Sequence, residues 1–112
     1  MINLSLKILL FKYCSVAKFN LLISLARLIE KFQPDLMLLD LKLPDIDGYS
    51  LLKQVQEKPD LSKIPIIVVS AFAFKADQEL ALSLGARRYF VKPIKLKDLI
   101  ITIEEELTCC HK

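Results

Sequence analysis

Hydrophobic residues fall into two rhythms along this chain. Four short runs are almost unbroken: LKILLFKY at 6–13, DLMLLD at 35–40, IPIIVVS at 64–70 and RYFV at 88–91. Apolar runs of this length, bounded by polar or turn-forming residues, suit strands of a parallel sheet covered on both faces. The run at 64–70 is the clearest, because Val and Ile pack well on a pleated surface. Between the runs the apolar residues recur every three or four positions, the spacing of a helix face. Residues 16–32 carry Val16, Phe19, Leu22, Ile23, Ala26, Ile29 and Phe32, and Leu21, Leu25 and Leu28 widen that stripe. This predicts a largely buried helix, with Ser15 as its cap. Residues 48–58 turn Leu51, Leu52 and Val55 inward, residues 75–84 turn Leu80, Ala81 and Leu84 inward, and residues 96–107 present Leu99, Ile100, Ile103 and Leu107.

The punctuation agrees with this division. Gln33-Pro34 closes the first helix, because the residue before proline is pushed out of the helical region. LKLPDIDG at 41–48 is a loop rich in turn formers. Gly85 suits the C-terminal end of the third helix, where a left-handed residue is wanted. Strands alternating with helices predict an α/β domain, a doubly wound parallel sheet with helices on both faces. Such sheets place their sites outside the carboxyl ends of the strands.

Three polar residues stand at those ends: Asp40, Ser70 and Lys92. Singly, each has a plainer role, as a loop cap, a turn residue and a solvated strand end. Together they bring an acid, a hydroxyl and an amine to one sheet edge. That set can perform phosphoryl transfer. A carboxylate oxygen is a competent nucleophile. An ammonium neutralises phosphoryl oxygens that gather charge in the transition state.

The segments around these residues resemble the receiver domain of response regulators in two-component signalling. PDLMLLDLKLPDIDG at 34–48 is similar to the family's phosphoacceptor block, with Asp40, Pro44 and Gly48 at the matching offsets. IPIIVVSA at 64–71 resembles the strand that ends in a hydroxyl residue followed by a small one, here Ala71. GARRYFVKPI at 85–94 resembles the last block, with its Lys-Pro pair. The resemblance covers residues 25–107 and implies a CheY-like, flavodoxin-like receiver fold. Asp40 is then the phosphoacceptor, Ser70 moves toward the phosphoryl group and Lys92 pairs with it. Tyr89 takes the place of the aromatic switch. The Lys92–Pro93 bond is expected to be cis, which only an X-Pro bond allows cheaply.

One part of the family's pattern is missing. The resemblance implies a magnesium ion held by two acids at the end of the first strand, by the acceptor and by a backbone carbonyl. Here the acid positions fall on Lys12 and Tyr13, and no acid precedes Glu30. Asp40 and the backbone carbonyl of Lys42 remain as ligands, so any Mg2+ is expected to bind weakly. Asp45 and Asp47 lie nearby, but no spacing makes them replacements. The distance from the first strand to Asp40 is also short by about one strand and one helix. An empty place beside the acceptor strand would leave its backbone groups unpaired. Residues 7–13 are therefore expected to fill it, shortening the sheet to about four strands. Lys12 would then stand near Asp40 and offset its charge.

Two functions follow. One is a stand-alone, non-enzymatic receiver in a phosphorelay, which takes phosphate on Asp40 and signals by protein contact through residues 75–107. The other is a degenerate pseudo-receiver, an interaction module independent of phosphate. The implied partners are a sensor histidine kinase or phosphotransfer protein and a downstream effector protein.

Composition adds bounds. The chain has 112 residues, 54% of them hydrophobic, with only two glycines. That suits one domain over 1–107 with a loose tail at 108–112. The net charge of +3 and the lack of long basic runs give no footprint for nucleic acid. No stretch suits a membrane span, and MINLSLKILLF at the start lacks a cleavage site. The thiols Cys14, Cys109 and Cys110 make a poor disulfide framework, which points to a reducing cytoplasm. Cys109, Cys110 and His111 offer too few ligands for a zinc site.

Overall fold

In the computed structural model the described residues are 8–13, 21–41, 46–59 and 61–109. They form β1 (Ile8–Tyr13), α1 (Leu21–Phe32), β2 (Leu36–Leu41), α2 (Ile46–Gln56), β3 (Ile66–Ser70), α3 (Lys75–Ser83), β4 (Arg88–Val91) and α4 (Leu96–Cys109). The four strands make one parallel sheet in the order β1-β2-β3-β4. The first strand does occupy the place beside the acceptor strand: Leu10 pairs with Leu38 and Lys12 with Asp40.

Sequential strand order has a consequence for the layers. Right-handed crossovers between successive neighbours place their helices on the same side of a sheet. Ile29 of α1, Leu51, Leu52 and Val55 of α2, and Ala81 of α3 all pack with Met37, Leu39, Ile66 and Val68. The other side is served by α4, whose Ile103, with Leu99 and Leu107 beside it, packs on Leu36, Leu38, Ile67 and Phe90. Strand alternation accounts for this division, since successive residues face opposite sides. Helices do lie on both faces, but three on one and one on the other among the described residues.

This layering corrects several expectations about individual side chains. Over residues 26–32, α1 is not largely buried. Ile29 faces the core, whereas Leu28 and Phe32 are 44% and 40% exposed. A helix resting on one sheet face has its outer side in water, so the widened stripe overstated its burial. Leu80 of α3 and Ile100 of α4 also point outward, because Ala81 and Ile103 already fill the sheet-facing positions. α4 runs on to Cys109, so the tail begins later than expected, and the Thr108 hydroxyl donates to the Glu104 carbonyl at 2.7 Å. Ser15, Cys14, Lys42, Asp45, Cys110 and His111 lie outside the described residues.

The helix ends follow the punctuation with one difference. Gln33 closes α1 in the left-handed region, at φ 51°, rather than in an extended one. Its N–H donates to the Ile29 carbonyl at 2.7 Å, which completes the last turn. Gly85 follows the cap of α3 at φ +114°, and any Cβ there would meet the Gln56 side chain. Both facts require glycine at that turn.

Candidate functional site

Three of the four expected residues reach one edge of the sheet by the same local logic. β2 and β3 are apolar until their last residues, and each ends on a polar group where the strand leaves the core. Asp40 is the penultimate residue of β2 and Ser70 is the last of β3. Lys92 follows β4 directly. Its N–H donates to the Ser70 carbonyl at 2.8 Å, which extends the β3–β4 ladder by one bond and fixes its place.

The Lys92 Nζ lies 2.9 Å from Asp40 Oδ1. The carboxylate is nearly buried, whereas the lysine side chain is 42% exposed. Oδ1 accepts no hydrogen bond of good angle, so the contact is an ion pair. With one partner in water, such a pair contributes about 0–1 kcal/mol to stability. Its significance is electrostatic: an ammonium stands against a nearly buried carboxylate at the edge of the sheet.

Ser70 and Tyr89 are joined through Phe72, a residue with no chemical marker in the sequence. The Phe72 N–H donates to Ser70 Oγ at 3.1 Å, and the Tyr89 hydroxyl donates to the Phe72 carbonyl at 3.1 Å. One loop residue thus ties the buried hydroxyl at the strand end to the half-buried aromatic on β4. Tyr89 packs against the three-helix core. Ala71, the small residue after Ser70, is exposed, and the Lys92–Pro93 bond is cis, as the resemblance implies.

Two further groups lie close by. Tyr49 of α2 is 7% exposed, and its hydroxyl, close to Asp77, makes no hydrogen bond of good geometry. Burial first, and then the Asp77 and Tyr89 charges, push its pKa up to about 12. Below the site, Arg88 anchors α4 to β4. Its Nε lies 2.8 Å from Oε2 of the buried Glu106, and its guanidinium also reaches Glu105 at 3.2 Å. An acid in the middle of an amphipathic helix gave little warning of burial. An arginine opening the adjacent strand is the signal that could have found the pair.

The β1 side of the site is different in kind. In register, Lys12 pairs with Asp40 and Tyr13 with Leu41. These are the positions where the family's pattern calls for acids. No cluster of three or more His, Cys, Asp or Glu placed to hold a metal ion occurs among the described residues. The Lys42 carbonyl lies outside them.

A parallel α/β sheet with an acid, a hydroxyl and a lysine at one edge is the arrangement that the resemblance to receiver domains implies. The sequence matches the response regulator receiver domain family over residues 2–104, and the chain belongs to that family. It is a CheY-like receiver of the two-component, phosphorelay signalling class. It is 38% identical over 80 residues to the polar-differentiation response regulator DivK of Brucella anthropi, a match spanning 71% of this chain and 65% of that protein. Among solved structures it resembles a CheY-like receiver domain protein from Methanospirillum hungatei, with a TM-score of 0.67 at 25% identity over 95% of this chain and 97% of the other. It also resembles the receiver domain of sensor histidine kinase PA1611 from Pseudomonas aeruginosa, with a TM-score of 0.68 at 26% identity over 93% and 99%. That receiver holds a magnesium ion coordinated in its active-site cleft.

Proposed function

We propose that the chain is a stand-alone receiver that accepts a phosphoryl group on Asp40 and signals by protein contact. The observation that carries this reading is the 2.9 Å ion pair between Lys92 and the nearly buried Asp40, at the carboxyl edge of the sheet. A carboxylate oxygen of Asp40 attacks the phosphorus of a phosphohistidine on a sensor histidine kinase or phosphotransfer protein. The new P–O bond forms as the P–N bond breaks, and the departing imidazole keeps that electron pair. Lys92 neutralises the phosphoryl oxygens as their charge grows. Ser70 then donates its hydroxyl to the bound group. Because Phe72 joins Ser70 to Tyr89, a shift of the hydroxyl is felt at Tyr89. The readout surface is α3, β4 and α4, where Leu80, Leu82, Ile101 and Leu96 are exposed for an effector protein.

Magnesium does not fit the described residues. No cluster of acids that could hold a metal ion occurs among the described residues, and Lys12 and Tyr13 hold the strand positions beside Asp40 and Leu41. No step above runs through a metal. The altered β1 positions also favour the second reading, a phosphate-independent interaction module. Cytoplasmic location follows from the phosphorelay reading, and no helix among the described residues is long and apolar enough to cross a membrane.

Intact mass after incubation with phosphoramidate separates the two readings. A single phosphate adduct that Asp40→Ala abolishes is the expected result. No adduct, or one that survives Asp40→Ala, overturns the phosphoacceptor reading in favour of the interaction module.

A further inference from the structure

We infer that the β3–β4 half of the carboxyl edge docks an acidic amphipathic helix of the phosphodonor, held by Phe74 and Leu96 on either side of the site. This rests on the phosphoacceptor reading above and names the partner's chemistry. Phe74 and Leu96 are 68% and 69% exposed, more than any other large hydrophobic among the described residues. Single exposed apolar residues are ordinary on a protein surface. These two are not scattered. Phe74 immediately precedes α3 and Leu96 opens α4, so both stand where the chain leaves β3 or β4, at the edge that carries Lys92. α3 lies on the three-helix side of the sheet and α4 on the other. The two residues therefore flank the sheet edge, one from each layer. Helices about 10 Å across, one on each side of the sheet, set the pair roughly 20 Å apart, the length of about 13 helical residues.

Charge sets the sign of the partner. Lys75, Lys95 and Lys97 are exposed beside the two apolar residues. Against them stand the half-buried Asp77 and the exposed Asp98. The N-termini of α3 and α4 open toward this edge, and each acts as about half a positive charge. No side chain caps α3. The balance is positive even with Lys92 matched by Asp40. Acidic donor surfaces are therefore attracted and basic ones repelled. Reach makes the contact. Phosphorus must come within about 3–3.5 Å of the Asp40 oxygen, so the surface around the donor's phosphohistidine covers what flanks Asp40. A helix with an apolar residue toward each end and acids beside it matches Phe74–Lys75 and Lys95–Leu96–Lys97 in one span. Leu96 also belongs to the readout surface, so donor and effector exclude each other there.

The test uses the full chain and two synthetic helical peptides of about 20 residues, long enough to span the pair. Each carries a central histidine and a leucine toward each end. One is rich in glutamate, and the other has lysine in place of each glutamate. Binding of the unphosphorylated peptides is read by fluorescence anisotropy. The acidic peptide should bind about tenfold tighter at low salt, and about 0.5 M salt should remove the difference. Lys95→Glu/Lys97→Glu should reverse the preference. The phosphohistidine form of the acidic peptide, made with phosphoramidate, is then compared as donor with phosphoramidate itself by intact mass. The ratio of the two rates is the readout, so changes at Asp40 itself cancel. Phe74→Ser and Leu96→Ser should each lower this ratio about fivefold, the scale of losing an apolar anchor. Equal binding of the two peptides, or tighter binding of the basic one, overturns the inference. So does a ratio that neither serine variant changes. Binding to phosphatidylserine vesicles that Lys95→Glu/Lys97→Glu abolishes also overturns it, because this edge would then be a membrane face. No adduct from phosphoramidate overturns the phosphoacceptor reading, and the anisotropy titrations then decide separately whether this edge takes an acidic helix.

Discussion

The two flanks of the acceptor strand are built differently. On one side stands β3, every residue of which is buried, followed by β4. On the other stands β1, an edge strand with a single ladder neighbour in the described sheet. The β3–β4 flank delivers Ser70 and Lys92 to the site. The β1 flank delivers Lys12 and Tyr13 where acids would stand. A strand locked between two others holds its end residues in place, because any shift disturbs the core. β4 is an edge strand as well, but the Lys92 N–H donates to the Ser70 carbonyl, which ties the lysine to the buried strand. The two flanks therefore differ in how firmly the strand beside Asp40 is held: β3 lies between two neighbours, whereas β1 has one in the described sheet.

The largest expected effect breaks the better-supported flank. Ile67→Ala removes a fully buried side chain of β3 and should cost about 4 kcal/mol in chemical denaturation. Ile8→Ala removes a half-buried side chain of β1 and should cost about 1 kcal/mol by area removed from water. Equal losses would erase the contrast between flanks. Next, Lys92→Ala should slow phosphorylation about a hundredfold, a loss of the kind seen when a preorganised charge-stabilising group is removed. Its stability should change by less than about 1 kcal/mol, because the ion pair is half in water. A proportionate fall in both would make Lys92 structural.

A smaller effect tests what holds α4. Arg88→Ala leaves the buried Glu106 carboxylate with Arg87 Nε at 3.8 Å. The expected cost is about 2 kcal/mol, less than for a fully buried pair, because Arg88 is partly exposed. Thermal unfolding of Arg88→Ala beside Arg88→Ala/Glu106→Gln checks this, since the double change should recover part of the loss. The smallest effect is at Tyr49. Tyr49→Phe should be near neutral at pH 7, because the hydroxyl it removes makes no hydrogen bond of good geometry. The Tyr49 pKa is raised from 10.0 to about 12, so folding favours the neutral phenol. That contribution is complete below pH 10 and is lost as pH rises from about 10 through 12. Wild type should therefore lose more stability than Tyr49→Phe across that window, measured by urea unfolding at stepped pH.

The strands were legible because buried parallel strands write themselves as unbroken apolar runs. Asp40, Ser70 and Lys92 were legible because each interrupts such a run at its end. The place of β1 followed from a backbone argument, that β2 would not be left without a partner. Other features had no local trace. Leu80 and Ile100 read as core by spacing, yet their outward positions depend on how close each helix sits to the sheet. The burial of Glu106 depends on Arg88, eighteen residues away. The link through Phe72 uses only its backbone, which side-chain chemistry cannot reveal.

The strand order has a consequence for how the molecule assembles. Each strand pairs with the next one in the chain. No strand must insert between two that are already joined, as a 2-1-3 order would demand. Every pairing closes one helical crossover, and short loop closures form fast. The sheet can grow outward from β2 and β3, whose side chains are the most deeply buried, with β1 added at one edge and β4 with α4 at the other. The amides of β1 should then be the first of the sheet to exchange with solvent. In this domain, neighbours along the chain are also neighbours in the sheet, so each step of growth closes a single crossover.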